Sequence, residues 1–374
     1  MRELGRIGAK ASRGRWGVVK AAVATLWTHP TRCEEVDQLV LGEQPQLNQW
    51  LERLGEGGRL RLWETKRIQS QLLMGTPVEV IDQTDSWFQV VVPSQSSKKE
   101  KRGYPGWLPA EQIAMVTPAE WAVARQLYGD IPAMLNEAEV AVPFIPYVVV
   151  TEPLTTLVLA NEAREEAGEV AGEEGKGAKV PSLNKQEVTL SYQTRLPLAE
   201  SRIITSQEAN TSGPSAWLQV ETPLGSAVVA RDHVRVVTAT QPLLSPRGGK
   251  ELIAQGERFL GLPYLWGGMS AYGYDCSGFA YSIHQAFGIT IPRDASDQSE
   301  AGQSITQDQL QPGDLLFFAY EQGRGLVHHV GFYGGNGRML HSPYTGKSIE
   351  IIAIAGTIYE EELCGARRYW TETN

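Results

Sequence analysis

The sequence predicts an α+β domain preceded by two all-β modules. Three observations carry that prediction. Short β-type runs dominate residues 20–117 and again residues 145–240. The two regions share a sequence pattern, and beyond residue 246 two amphipathic helices are followed by strand-type segments. Helices first, then an antiparallel run, is the grammar of an α+β unit. At 374 residues the chain has length for one to three such units.

Residues 1–19 read as a basic tail. Arg2, Arg6, Lys10, Arg13 and Arg15 stand there against Glu3 alone, with Lys20 just beyond. A basic start followed by "WGVVKAAVATLW" also resembles a secretory signal, but Lys20 interrupts the apolar stretch that a signal needs. In residues 20–117 the runs "VEVID", "WFQVVVP" and "GWLPAEQIAMV" are of β type. Between them "QPQLNQWLERL" spaces Leu47, Trp50, Leu51 and Leu54 as one helical face and stops at Gly55. A small β-domain with a helical insertion follows from this. Residues 118–144 form a connector with an amphipathic start.

Residues 145–240 return to β-type runs. Their segment "NEAREEAGEVAGEEGKGAKVPS" is acidic, Gly-rich and nearly free of large apolar residues, so it is expected to be mobile. "SWFQVVVP" (86–93) matches "AWLQVETP" (216–223), and each is followed by a further strand-type run. Such self-similarity predicts two copies of one module, and the pattern looks like a bacterial SH3-like pair. "QPLLSPRGG" (241–249) is a linker. In residues 246–374, "KELIAQGERFLG" and "DCSGFAYSIHQAFG" are helices stopped by Gly261 and Gly288. "GDLLFFA", "HHVGFYGG", "GRMLHSP", "SIEIIAI" and "GARRYW" are strands.

Composition narrows function. A net charge of −9 argues against nucleic acid as a partner. Hydrophobic and charged contents of 42% and 21% are those of a soluble globular protein. The apolar runs fall short of the roughly 18 residues of a membrane span. Cys33, Cys276 and Cys364 are too few and too scattered for a disulfide framework or zinc site, and a reducing compartment is the simpler expectation.

Chemistry concentrates at "GYDCSGFA" (273–280). With Asp275 as cap, Cys276 lies in the first turn of a helix, where free N–H groups and the helix dipole favour a thiolate. Such cysteines fall from a pKa near 8.5 to about 3.5–7.5 when a cation is close. The same N–H groups suit an oxyanion. A cysteine flanked by Asp, Ser and Gly is poor core material, which weighs against simple packing. The candidate bases are His328, His329 and His341. "HHVGFYGGNGRMLHS" reads as a hairpin turning at "GGNG". An odd loop would bring 329 opposite 341, and adjacent 328 and 329 face opposite ways, so only one serves. One histidine as base and the other as its orienter is a workable pair. His29, His233 and His284 are expected to have surface or packing roles.

"YLWGG…YDCSGF", "PRDASDQ", "LQPGDLLFF" and "HHVGFYGGNGRMLHS" together resemble the NlpC-type, papain-like cell-wall cysteine peptidases over most of residues 250–370. The resemblance implies a papain-like catalytic domain with Cys276 as nucleophile, His329 as base and His341 as the polar residue orienting it. The front half, through "VATLWTHP", "SQLLMG" and "GYPGW", is similar to the γ-D-glutamyl-L-diamino acid endopeptidases, which carry two SH3-like domains. The implied partner is a murein stem peptide with a free N-terminal L-Ala, cut after γ-D-Glu, whether lysine or diaminopimelate follows. No metal or organic cofactor is implied. Asp294 matches the amine-binding position, because an ammonium in a cleft wants a carboxylate. Tyr264, Asp275 and Ser277 fall in the pocket, and Tyr104 matches a tyrosine of the first SH3-like domain that closes the cleft. Gln69 stands where Glu is frequent in that group, and Ala295 where Ser occurs. Without a clear signal, cytoplasmic recycling of wall peptides is the expectation, with secretion or wall association as the alternative. Two other readings stay open: a wall-peptide binding module with an inactive catalytic domain, and an amidase or acyltransferase of the same fold.

Overall fold

The computed structural model describes residues 15–84, 86–129, 143–160, 183–205, 216–239 and 248–371. The acidic segment 161–182, most of the 241–249 linker and residues 1–14 lie outside the described residues.

Seven strands make the first antiparallel sheet: β1 (Arg15–Val19), β2 (Val23–Trp27), β3 (Ile68–Leu73), β4 (Pro77–Gln83), β5 (Trp87–Val92), β6 (Tyr104–Pro109) and β7 (Ile113–Met115). Their order is β3-β2-β6-β5-β4-β1-β7. β1 falls inside the stretch read as a basic tail, yet Gly17 and Val18 pair with both β4 and β7. The module therefore takes in residues 15–19. Gly17 hid this strand, since glycine weakens a strand signal. It is needed because a Cβ there would lie 2.6 Å from the Ile113 side chain. The insertion α1 (Leu47–Thr65) is two helical segments joined at a kink: the first stops at Gly55 as expected, where φ is +54°, and a second runs on to Thr65. Its apolar face buries Trp50 and Leu62.

The second sheet has β8 (Tyr147–Val150), β9 (Leu154–Ala160), β10 (Leu183–Ser191), β11 (Arg195–Thr205), β12 (Ala216–Thr222), β13 (Gly225–Ala230) and β14 (Val234–Val237). Its order, β10-β9-β13-β12-β11-β8-β14, is that of the first sheet with every strand shifted by one set. β5 and β12, which carry the matching "WFQVVV" and "AWLQVET" runs, take the same place. In both sheets a one-turn 3₁₀ helix precedes the last strand. Between the sheets runs α2 (Pro118–Leu127), started by Pro118 and a capping box of Thr117 with Glu120.

The third unit begins with α3 (Gly249–Glu257) and a short hairpin, β15 (Met269–Ser270) and β16 (Gly273–Tyr274). Then come α4 (Cys276–Gln285) and α5 (Ala295–Glu300). The sheet comprises β17 (Gln303–Ile305), β18 (Leu315–Ala319), β19 (Val327–Gly335), β20 (Arg338–His341), β21 (Glu350–Ala353) and β22 (Leu363–Arg368), ordered β17-β22-β18-β19-β20-β21. α4 lies on this sheet. Its Phe279 and Ile283 join a core with Phe317, Val330, Phe332 and Leu340. Each such side chain, fully buried, stabilises the fold by about 1.5–3 kcal/mol.

The units are bonded together at the catalytic helix. From the first sheet, Gln71 Oε1 accepts from Met269 N at 3.0 Å and from Ser270 Oγ at 2.8 Å. The Tyr281 hydroxyl donates to Ser94 O at 2.6 Å. From the second sheet, Arg195 donates to Gln285 O at 3.0 Å and Arg235 to Ala286 O at 2.8 Å. Two guanidinium groups thus sit on the carbonyl end of α4, where cations are favoured. Among the described residues no helix is long and apolar enough to cross a membrane.

Candidate active site

Asp275 builds the start of α4. Its carboxylate accepts from Gly278 N at 2.6 Å, the N-cap bond that frees the first turn for Cys276. Arg293 grips the same carboxylate at 2.7 and 3.1 Å and donates to Ser277 Oγ at 3.0 Å. It also donates to Ser70 Oγ of β3 at 2.9 Å. All four groups are buried. Asp275 and Ser277, expected in the substrate pocket, both belong to this network, which fixes the start of α4.

The thiol does not rest as the thiolate that the helix start alone suggests. Burial pushes Cys276 up to about 12, and the Asp275 carboxylate adds to the rise. Hydrogen bonds from the backbone of Val330 and Ser277, and the Arg293 charge, pull the other way. His329, buried on β19 beside Val330, is driven well below its usual range by burial and by its neighbours His341 and His328. Both shifts favour the neutral forms of the thiol and the imidazole. The proton moves when an electrophile arrives.

His329 Nε2 and His341 Nδ1 lie 2.8 Å apart. The expected pairing of 329 opposite 341 is corrected by the register. β19 and β20 pair Phe332 with Leu340 and Tyr333 with Met339, which brings Gly331 opposite His341. His329 is the diagonal neighbour on the same face, within reach of a ring. Gly331 makes room for this contact, since a Cβ there would lie 3.0 Å from that of His341. With the His329 Nε2 proton donated to His341, His329 Nδ1 is free to accept from the thiol. His341 Nε2 then faces Glu350 Oε1 at 3.7 Å. Burial lowers His341 to about 4, so it too is neutral.

His328 turns away, bonded to Glu362 at 3.0 Å and stacked on Tyr320. His284 packs on Phe332, with Nδ1 2.8 Å from Ala280 O. His29 lies edge-on to Trp107, and His233 bonds Thr155. Tyr264 is buried beside Cys276, its hydroxyl pushed up chiefly by burial, with Cys276 and Asp275 adding to the rise. Tyr359 has no motif to announce it. Its ring stacks on His329 at 5.1 Å and meets His341 edge-on at 5.2 Å, so it walls the histidine pair.

A second polar cluster, around Asp294, is shared between units. Asp294 follows Arg293 directly at the start of α5. Its carboxylate accepts from the Tyr104 hydroxyl of β6 at 2.9 and 3.0 Å. Lys99 also reaches it, at 3.0 Å, and bonds Gln69 Oε1 at 3.1 Å and the Tyr104 hydroxyl. Ala295 is buried as the first residue of α5. Sequence reasoning passed over Arg293, Lys99, Glu350 and Tyr359. Arg293 stood within the quoted "PRDASDQ", beside Asp294, and Lys99 within a charged loop whose long side chains gave no address.

A helix-borne cysteine bonded to the backbone of Val330, next to His329 of a buried histidine pair on an antiparallel sheet, fits a papain-like cysteine peptidase domain. Residues 261–368 match the NlpC/P60 family. A gamma-D-glutamyl-L-lysine dipeptidyl-peptidase of Bacillus subtilis is 37% identical over 355 residues, covering 95% of this chain and 99% of that protein. A Bacillus cereus protein of the same name is 34% identical over 351 residues, covering 94% and 90%. The crystal structure of a Bacillus cereus NlpC/P60 family protein superposes with a TM-score of 0.76 at 31% identity, over 95% of this chain and all (100%) of that one. The chain is a cysteine peptidase belonging to the NlpC/P60 family.

Proposed function

We propose that the protein cleaves the bond between γ-D-Glu and the L-diamino acid of murein peptides whose N-terminal L-Ala is free. Cys276 attacks the γ-carbonyl. His329 takes the thiol proton as the C–S bond forms and returns it to the leaving amine. Water, deprotonated by His329, then hydrolyses the thioester. His341 orients His329 and fixes its tautomer. Asp294 holds the peptide's ammonium and Tyr104 closes that end, with Tyr264 beside the nucleophile. The two sheets of one strand order are read as SH3-like domains, the first supplying a wall of the cleft, joined by the helical connector to the catalytic domain from residue 246. The expected setting is the cytoplasm, on peptides released from the wall.

The carrying observation is the bond between Tyr104 and Asp294 at 2.9 Å. It joins a carboxylate of the third unit to a tyrosine of the first, which supports the reading of a closed-off site for one terminal ammonium. The names of the relatives support the same bond and a lysine at the third position.

Mass spectrometry of L-Ala-γ-D-Glu-L-Lys and its diaminopimelate counterpart after incubation tests this. The expected products are L-Ala-γ-D-Glu and the free diamino acid, with the N-acetylated peptide cut poorly. Losing one partner of a buried charged contact costs about 2–5 kcal/mol. Asp294→Ala is therefore expected to lower kcat/KM at least roughly tenfold. Efficient cleavage of acetylated or glycan-linked peptide would overturn the free-amine reading.

A further inference from the structure

We infer that Lys99 is a tethered stand-in for the substrate's ammonium, a latch that the free peptide must displace before it binds. The inference rests on the reading of Asp294 as the amine site and adds a residue that sets that site's affinity.

An ammonium carries three donors and no acceptor. The Lys99 Nζ lies 3.0 Å from Asp294 Oδ2 and 3.1 Å from Gln69 Oε1, and it bonds the Tyr104 hydroxyl. Its three donors thus meet three oxygens from three elements. The same nitrogen stands 4.3 Å from the centre of the Tyr104 ring, within cation–π range. These oxygens and this ring form a complete ammonium cage, and it is filled by the chain's own ammonium.

Charge makes the two occupants exclusive. Gln69 is neutral, so Asp294 is the cage's one carboxylate, and Lys99 balances it. A second ammonium brought to Asp294 would share one negative charge with the first, at distances where like charges repel. Nearby ions are otherwise engaged: Lys98 pairs with Glu300, and Arg102 with Glu79 and Glu100.

The latch is built to open by its side chain alone. The backbone around it is tied: Lys98 N donates to Asp297 Oδ2 at 2.9 Å, Lys99 N to Ser97 Oγ at 3.2 Å and Gly103 N to Glu100 O at 3.1 Å. Yet the Lys99 side chain is 44% exposed against 26% for Asp294. It has solvent to swing into, and the carboxylate stays behind. Apparent affinity then equals the intrinsic affinity times the fraction of open cage. A half-exposed ion pair of this kind holds the closed state by a factor of roughly 1.4 to 5.

Steady-state kinetics of Lys99→Met on L-Ala-γ-D-Glu-L-Lys provide the test, with the N-acetyl peptide as second substrate. Methionine keeps the length and removes the charge. KM for the free peptide is expected to fall roughly two- to sixfold. The dipeptide L-Ala-γ-D-Glu should inhibit the variant more tightly by the same factor. KM for the acetylated peptide should not fall with them, because it brings no ammonium to the cage. If wild type discriminates between the two peptides but Lys99→Met leaves KM unchanged or raises it, the latch is wrong and the amine site stands. If wild type cuts both with equal kcat/KM, the amine site is wrong and the latch goes with it.

Discussion

At the scale of single residues the site sets a neutral pair where an ion pair is the usual expectation for a helix-start cysteine. The reason is a contest of magnitudes. The helix start offers Cys276 roughly half a positive charge. Against it stand burial and the full negative charge of Asp275, the residue that caps that helix. Arg293 offsets part of this, but its guanidinium is bonded to Asp275 rather than to the sulfur. The pH dependence follows with its sign. A thiol raised to about 12 is protonated throughout the neutral range. Alkylation of Cys276 by iodoacetamide should then climb about tenfold per pH unit from 6 to 9 with no plateau, as a rising thiolate fraction requires. The rate is measured by mapping the Cys276 adduct over time. A flat profile across neutral pH would mean a standing thiolate and defeat this account. Substrate turnover should not follow that climb, since His329 is already neutral and takes the proton within the reaction. For the histidines, His329→Ala should abolish turnover, and His341→Ala should leave more residual activity. His328→Ala should be mild, because its bond is to Glu362. Equal loss in the first two, measured as kcat/KM, would reverse their roles.

At the scale of elements, α4 is the part that every unit touches. Asp275 caps its start, and Arg195 and Arg235 of the second sheet close its end. Arg195 also donates to Leu127 O, so it joins the connector helix to the catalytic helix. Its removal would leave the buried Leu127 O without that donor, at about 1–3 kcal/mol, and Gln285 O with Gly288 N as its remaining donor. Arg195→Met is therefore expected to lower the urea midpoint and to expose the α2 region to protease, while Cys276 keeps its place. An unchanged midpoint would show that the second sheet is only tethered. These contacts also mark what the sequence makes legible. Local signals found α4, the strands β18 to β22 and the helix after Gln46, because each has its own apolar period and stop. The candidate nucleophile and base were legible for the same reason, each standing in a compact motif. The diagonal geometry of His329 and His341 was not, since a register depends on the whole ladder and here on the space left by Gly331. Nor were Lys99 and Arg293, whose partners lie some 200 positions away in the chain, at Asp294 and at Ser70 (separation 223).

At the scale of the molecule, three buried histidines tie the fold of the catalytic unit to pH. Burial lowers His284 to about 4 and His341 to about 4, and takes His329 well below the usual range. In the unfolded chain all three would titrate near 6.5. Above that value they are neutral in both states, and their burial is compatible with full stability. As pH falls below 6.5 the unfolded chain takes up protons first, so stability drains until the folded groups protonate near 4. A lowering from 6.5 to about 4 corresponds to about 3 kcal/mol for one such group at the end of that window. His284 separates this effect from catalysis, because it packs on Phe332 and Tyr369 away from the thiol. His284→Leu should remove one of these steps. Thermal melts between pH 4 and 7 are expected to show a steep acid loss for wild type and a shallower one for the variant, with the two converging in slope above pH 6.5. Were the variant to lose stability below pH 6.5 as steeply as wild type, His284 would not be held neutral by the fold. The acid sensitivity of the catalytic unit would then rest on groups other than His284.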